Sequence, residues 1–360
     1  GIPDTALVIE THALWHLADE IRQSEKLTAC LHQHENAAFF SALENFEEGR
    51  IFLEKYAAFL VAHGHRGHQD RDIYYKRRVE DPQIDYQAFR ALENAGESSR
   101  PENLEARLLE RRLAATNGVL SNLASQPLGG LKAEVFKAVL AYNHRFLKFR
   151  DDERHFLDRM TLQKKHCFSE LGRRLFNRGL LDAEDDFYFL AHHELYELFD
   201  GLGSRTLSQA KANARRIVFN RRNAREEFTP TYLQHGMPIN LDSNCDQVEL
   251  VDGVFGGVGT SRGEVTGRAR VVLNMSEIGR VEKDDILICN STDPGWMPVF
   301  PLIKGLVLET GGMLAHGACL SREYGLPAVQ LRNAIQLIDD GALISVNGDN
   351  GQIRILDEVA

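Results

Sequence analysis

The sequence predicts two kinds of fold joined end to end: an all-helical domain over residues 1–228 and a small mixed α/β domain over 256–360. Three observations carry this reading. The first part is poor in Gly and rich in Leu, Ala, Glu and Arg at helical spacing. The stretch 229–255 turns to linker composition, with Pro230, Pro238 and Gly253. The last part consists of short runs of β-forming residues separated by turn residues.

Within the helical part, Leu53, Tyr56, Ala57 and Leu60 recur at i, i+3, i+4 and i+7, which predicts one apolar helix face. A long helix is expected across 131–175, broken or kinked inside. Asp182 stands where it could cap a following helix, with Asp185 and Asp186 in the first turn. The basic stretch 211–225 reads as the solvated face of a helix. In the α/β part, strands are expected at 269–273, 286–289, 305–308, 342–346 and 352–355. The turns are expected at 283–285, 339–341 and 347–351, and short helices at 298–303 and 316–324. Gly253, Gly256, Gly257 and Gly259 offer soft torsions at the junction and predict a hinge there.

Charge and composition exclude several classes. The chain has 360 residues and a net charge of −10, with no long basic block. Phosphate backbones and anionic membranes are held by clustered Lys and Arg, so neither is an expected partner. The five cysteines are scattered without a CxxC pair, the pattern of reduced thiols in the cytoplasm. No run of 18 apolar residues is present, so no membrane span is expected. His32 and His34 flank Gln33, and His192-His193-Glu194 lies in a helical stretch, but neither has the HExxH spacing; no metal site is expected. The sequence opens at Gly1-Ile2-Pro3 and is expected to be the C-terminal piece of a longer polypeptide.

The chemistry concentrates in residues 309–329. A strand at 305–308 runs into Gly311-Gly312, where glycine permits a tight turn and brings backbone N–H groups close to a ligand. A helix begins at His316 and stops at Gly325, with Pro327 just beyond. At a helix start the free N–H groups and the macrodipole favour an anion. A neutral imidazole there is a nucleophile, and once phosphorylated it lays its negative group on the positive helix end. That is a suitable place for covalent phosphoryl chemistry, and a strand-turn-helix with an incidental His fits the same residues.

The string Gly311, Gly312, His316, Gly317, Ala318, Arg322, Glu323, Gly325, Pro327, Ala328 and Val329 resembles the phosphohistidine signature of PEP-utilising enzymes with a swivelling domain. Members include phosphoenolpyruvate synthase, pyruvate phosphate dikinase and rifampin phosphotransferase. It departs from the usual pattern at Ala315, where a hydroxyl residue is common, and at Cys319, where a branched aliphatic is. Thr292-Asp293-Pro294-Gly295-Trp296 is closest to the rifampin phosphotransferase branch. His63-Gly64-His65-Arg66-Gly67, Arg150-Asp151-Asp152-Glu153-Arg154 and residues 185–190 are similar to helical segments of that branch.

The resemblance implies an all-helical acceptor-binding domain followed by a swivelling β/β/α phosphohistidine domain. His316 would be the catalytic residue, with Gly311, Gly312, Gly317 and Arg322 forming its loop and Thr292 and Asp293 on a supporting loop. His65, Arg66, Arg150 and Glu153 would contact a small-molecule acceptor. ATP and Mg2+ are implied on an ATP-grasp domain, fused upstream or separate, and none is expected on this chain alone. The β-phosphoryl of ATP would pass to His316 and then to the acceptor, giving AMP and phosphate, in antibiotic resistance or biosynthesis. Two alternatives stand beside this. One is an ATP-driven condensing enzyme of the prodigiosin type using the same relay. The other is a non-catalytic module that senses phosphorylation.

Overall fold

A computed structural model describes residues 4–67, 72–93, 95, 100–223, 233–234, 237–238 and 253–356. It divides into two compact units. One comprises Gly1–Arg71, Tyr75–Arg159 and Val248–Ala360; the other comprises Asp72–Tyr74 and Met160–Gln247.

The first unit opens with α1 (Ala6–Gln23), whose N-terminus is capped by the Thr5 hydroxyl accepting from the Val8 amide at 3.3 Å. Leu14, Trp15, Ala18 and Ile21 form its buried stripe at helical spacing. Ser24 ends α1 and caps α2 (Glu25–Gln33) by accepting from Leu27 N. Then come α3 (Ala37–Leu43), α4 (Glu47–His63), α5 (Gln83–Glu93) and α6 (Pro101–Ala124). The buried face of α4 is Phe52, Tyr56, Phe59 and His63, with Leu53 and Leu60 at its flank and Ala57 exposed. The expected face is thus rotated by about one residue, because the aromatic rings at 52 and 59 claim the core. Helix α7 (Gly129–Asn177) runs 49 residues as one helix, without the expected break.

A buried ion network ties the segment after α4 to these helices. Arg66 donates to Glu10 (2.9 Å) and Asp158 (2.9 Å); Arg78 pairs with Glu10 and, at 2.8 Å, with Asp85. The Tyr56 hydroxyl donates to Asp85 at 2.9 Å. All four charged carriers of Glu10, Arg66, Arg78 and Asp85 are buried, where a charge persists only when paired. Burial alone would raise the Glu10 carboxyl, but Arg66 and Arg78 outweigh it and hold the group at about 2.

An eight-stranded mixed sheet completes the first unit. Its strands are β3 (Val254–Gly256), β4 (Val258–Ser261), β5 (Glu264–Val271), β6 (Ile286–Cys289), β7 (Gly305–Leu308), β8 (Ala328–Gln330), β9 (Leu343–Asn347) and β10 (Gln352–Ile355), with α10 (His316–Tyr324) and α11 (Ala334–Leu337) between them. The spatial order is β3-β10-β9-β5-β6-β7-β8-β4, with β5 through β8 parallel and the rest antiparallel. β6 and β7 are buried along their whole length, as parallel strands covered on both faces are. The two outermost strands, β3 and β4, are joined by Gly257 alone, so the sheet must curl until its edges meet.

Several expectations change here. Gly256 and Gly259 are paired in strands, and the Gly257 amide donates to Gly351 O at 2.7 Å. A Cβ on Gly257 would lie 2.2 Å from Gln330 O, and one on Gly259 2.2 Å from Gly348 O. Gly257 and Gly259 thus permit close backbone approach within the sheet. Of the expected linker 229–255, the described residues are the short pair β1 (Leu233–Gln234) and β2 (Met237–Pro238) and residues 253–255, of which 254 and 255 already belong to β3; the remainder lies outside the described residues. The helix expected at 298–303 is instead a 3-10 turn at Pro294–Val299, since Pro298 has no amide to continue a helix. Val272, Met275, Ile278, Trp296, Phe300 and Leu320 share one buried cluster with Phe39, Phe52, Phe89 and Leu92 of the helices.

The second unit holds residues 160–177 of α7, a 3-10 turn at Glu184–Phe189, α8 (His192–Phe199) and α9 (Arg205–Asn223). Leu175, Leu181, Phe187, Leu195, Leu198 and Ala212 are its core. Asp182 is not the cap of that turn; its carboxylate accepts from Gln209 Nε2 at 2.8 Å. Its own amide and that of Ala183 donate to the Asp186 carboxylate, at 3.1 and 2.9 Å. On α9, Arg216 pairs with Asp185 and Asp186, and Arg215 with Glu194. Among the described residues no helix is long and apolar enough to cross a membrane.

Candidate phosphoryl-transfer site

His316 is the first residue of α10, behind Ala315, which makes no side-chain capping bond. The loop from β7 reaches it through Gly311, whose φ of +131° is open to glycine and costly for other residues. A Cβ at Gly312 would meet nothing within 4 Å. Gly317 is different. A Cβ there would lie 2.6 Å from Thr292 Oγ1 and 3.0 Å from Leu308 Cδ1, so its absence lets the helix start press against β7 and the supporting loop. On that loop the Asp293 carboxylate caps the turn by accepting from Gly295 N at 3.0 Å. Arg322 reaches across the loop and donates to Thr260 O (2.9 Å) and Met313 O (2.6 Å). Its guanidinium braces the loop from behind.

The imidazole of His316 is partly buried, and both ring nitrogens are shielded from solvent with no hydrogen-bond partner among the described residues. Burial pushes it down to about 3. The Asp293 carboxylate opposes that shift, and Arg154, Arg66 and Arg150 add to it. The ring is therefore neutral at physiological pH, with a lone pair available. A phosphoryl group placed on it would be an anion within the electrostatic reach of Arg154, Arg66 and Arg150.

A cavity of about 110 Å3 lies against His316. Leu7, Val8, Leu104, Leu108, Leu147 and Met297 give it apolar walls; Arg150, Asp151, Glu105, His12 and Glu323 give it polar ones. Burial raises the carboxyls of Asp151 and Glu323, with Arg150 opposing in both. Arg150 also donates to Cys319 Sγ at 3.9 Å, and Arg322 to the same sulfur at 3.3 Å. Cys319, which stands where a branched aliphatic is common, is a half-buried thiol between two guanidinium groups.

The structure thus brings together His316, Gly317, Thr292 and Arg150, all read from the sequence. Three other expected acceptor contacts sit elsewhere and do not line the cavity. Arg66 is locked between Glu10 and Asp158. His65 is buried edge-on to His155 at 4.3 Å, and burial with its neighbours His155 and Arg66 pushes it down to about 3. Glu153 is half-buried, one turn beyond Arg150 on α7. Sequence reading passed over Thr5, His12, Glu105 and Asp151. Asp151 stood inside a quoted motif; the others come from segments that nothing local connects to His316. Arg154 could have been found, since it follows Arg150 by four residues on one helix face.

A histidine at a helix start, on a curled mixed sheet packed against helices, is the arrangement the structure shows, and the sequence comparisons place it in a class. Residues 281–351 match the family described as PEP-utilising enzyme, mobile domain, and residues 1–151 match the rifampicin phosphotransferase fourth domain. The chain belongs to the PEP-utilising enzyme family. It is 31% identical over 349 residues to rifampicin phosphotransferase of Bacillus cereus, covering 96% of this chain and 39% of that protein. It is 27% identical to an uncharacterised phosphotransferase of Bacillus subtilis (95% and 41%) and 26% identical to the prodigiosin synthesizing transferase PigC of Serratia marcescens (96% and 38%). The chain spans about two fifths of the length of these curated relatives.

Proposed function

We propose that this chain is the acceptor-binding and phosphoryl-carrying part of an ATP-dependent phosphotransferase of the dikinase type, working in the cytoplasm. The observation that supports it most is the neutral imidazole of His316, its nitrogens unpartnered among the described residues, on the wall of a cavity that Arg150 also lines. ATP and Mg2+ would be held by an ATP-grasp domain, fused or separate, and supply the phosphoryl group. Residues 256–360 would then swing between that domain and the helical domain of 1–228, through a linker at 229–255. The arrangement described above would be the delivery state.

In that state a hydroxyl of a small, largely apolar acceptor lies in the cavity. Its oxygen attacks phosphorus, the P–N bond breaks, and the electron pair returns to the His316 ring. The hydroxyl proton passes to a cavity carboxylate, for which Asp151 is the nearest in sequence to Arg150. Arg150 and Arg154 stabilise the charge on the transferring group, which is where catalysis of phosphoryl transfer mostly resides. Arg66 ties together α1 and α7, which carry this wall, through Glu10 and Asp158.

The likeness to PigC favours a second reading, in which the same relay drives condensation of two small molecules. The experiment is to combine the chain with its ATP-grasp portion and ATP labelled in the β-phosphate. An acid-labile, base-stable label on the wild type, absent from His316→Ala of unchanged circular dichroism, is expected. A stable phospho-product marks the phosphotransferase, and a condensed product with free phosphate marks the second reading. A fully labelled or fully active His316→Ala would sink both.

A further inference from the structure

We infer that His12, His16 and Glu102 form a binding site for one divalent cation of the zinc class, clamping α1 to the first turn of α6. This goes beyond the phosphoryl-transfer reading and does not depend on it.

The side chains come from two helices at suitable spacing. His12 and His16 are one turn apart on α1, and Glu102 and Glu105 lie in the opening of α6, just after Pro101. One donor atom from each of His12, His16 and Glu102 lies within 4.8 Å of the others. His12 Nδ1 stands 3.4 Å and His16 Nε2 3.7 Å from the same oxygen, Glu102 Oε1. Tetrahedral zinc with N and O donors at about 2.1 Å separates its donors by about 3.4 Å. The two edges therefore match a coordination polyhedron better than direct hydrogen bonds, which are shorter.

The other nitrogen of His12 supplies an independent feature. His12 Nε2 is 2.5 Å from Glu105 Oε1. A carboxylate on the far nitrogen is the usual companion of a metal-bound histidine, because it fixes the ring and raises its basicity. Glu102 Oε2 is meanwhile 3.7 Å from Arg100 Nε, which leaves Oε1 turned toward the histidines. Two imidazoles and one carboxylate are a zinc-type donor set with a fourth position for water. Since His12 and Glu105 also line the His316 cavity, the cation would fix one wall of that cavity.

The test uses the full 360-residue chain, stripped of metal by chelation. Calorimetric titration with Zn2+ is expected to show one cation per chain, and Co2+ to give the visible bands of a tetrahedral site. His16→Ala and Glu102→Gln, both at partly exposed side chains, should each remove stoichiometric binding while circular dichroism stays unchanged. Glu105→Gln should retain a site weakened about ten- to a hundredfold. His193→Ala, at an exposed histidine of α8, should bind as the wild type does. No stoichiometric binding by the wild type, or binding that survives both His16→Ala and Glu102→Gln, overturns the site. So does loss of binding in His193→Ala.

Discussion

Replacing Glu10 with Gln tests the account of how the first unit is held together. The carboxylate is buried and shared between Arg66 and Arg78, and it titrates at about 2 against an ordinary value of 4.5. A depressed carboxyl stabilises the fold above its unfolded value and loses that stabilisation as pH falls toward the folded one. A shift of this size corresponds to about 3 kcal/mol at pH 7, a little more than 1 kcal/mol per unit. Roughly half should remain near pH 3. Because the group is buried, no discount for solvent screening applies. The Gln side chain leaves Arg66 with Asp158 and Arg78 with Asp85, so the loss should stay near this figure and not reach that of two orphaned guanidinium groups. Both tryptophans, Trp15 and Trp296, are buried in this unit, so urea unfolding followed by their fluorescence reports on it. A wild-type advantage of about 3 kcal/mol at pH 7 that narrows in acid is expected. Equal stabilities at pH 7, or an advantage that widens as pH falls, would refute the reasoning.

Other outcomes follow from the same geometry. Arg150→Ala should slow delivery to the acceptor by about a hundred- to a thousandfold, as loss of one charge-stabilising donor does, while the label on His316 still forms; unchanged turnover with normal labelling would remove Arg150 from the site. Gly317→Ala places a methyl group 2.6 Å from Thr292 Oγ1 and should cost about 1–3 kcal/mol, read by the same unfolding experiment; a neutral or stabilising result would show that the loop gives way freely. His316 should stay neutral throughout pH 5–8, because burial and three nearby guanidinium groups disfavour the imidazolium. Nitrogen NMR of the ring would show this, and a midpoint close to 6.5 would contradict it.

Where local chemistry decides, the sequence was enough. The strands at 286–289, 305–308 and 352–355 and the helix from His316 to Tyr324 fall where turn residues and β-formers put them. His316 itself was legible because a Gly-Gly turn, a helix start and a Gly stop are all short-range signals. Elements whose reasons lie in distant partners were not legible. The strands at 254–256 and 258–261 look like linker, since glycines there meet Gly348 and Gly351 only once the sheet has curled. The α4 face is settled by which rings fit against Phe39 and Phe89, not by hydropathy alone. The same holds for the site. Sequence named His316 and Arg150, which share the cavity, but Arg66, which reads as a substrate contact, is consumed by Glu10 and Asp158 from helices 56 and 92 residues away. His12, Glu105 and Asp151 meet His316 only because α1, α6 and α7 converge on one cavity. Short-range torsion and capping preferences are written residue by residue, whereas the burial of a charge depends on what the rest of the chain brings beside it.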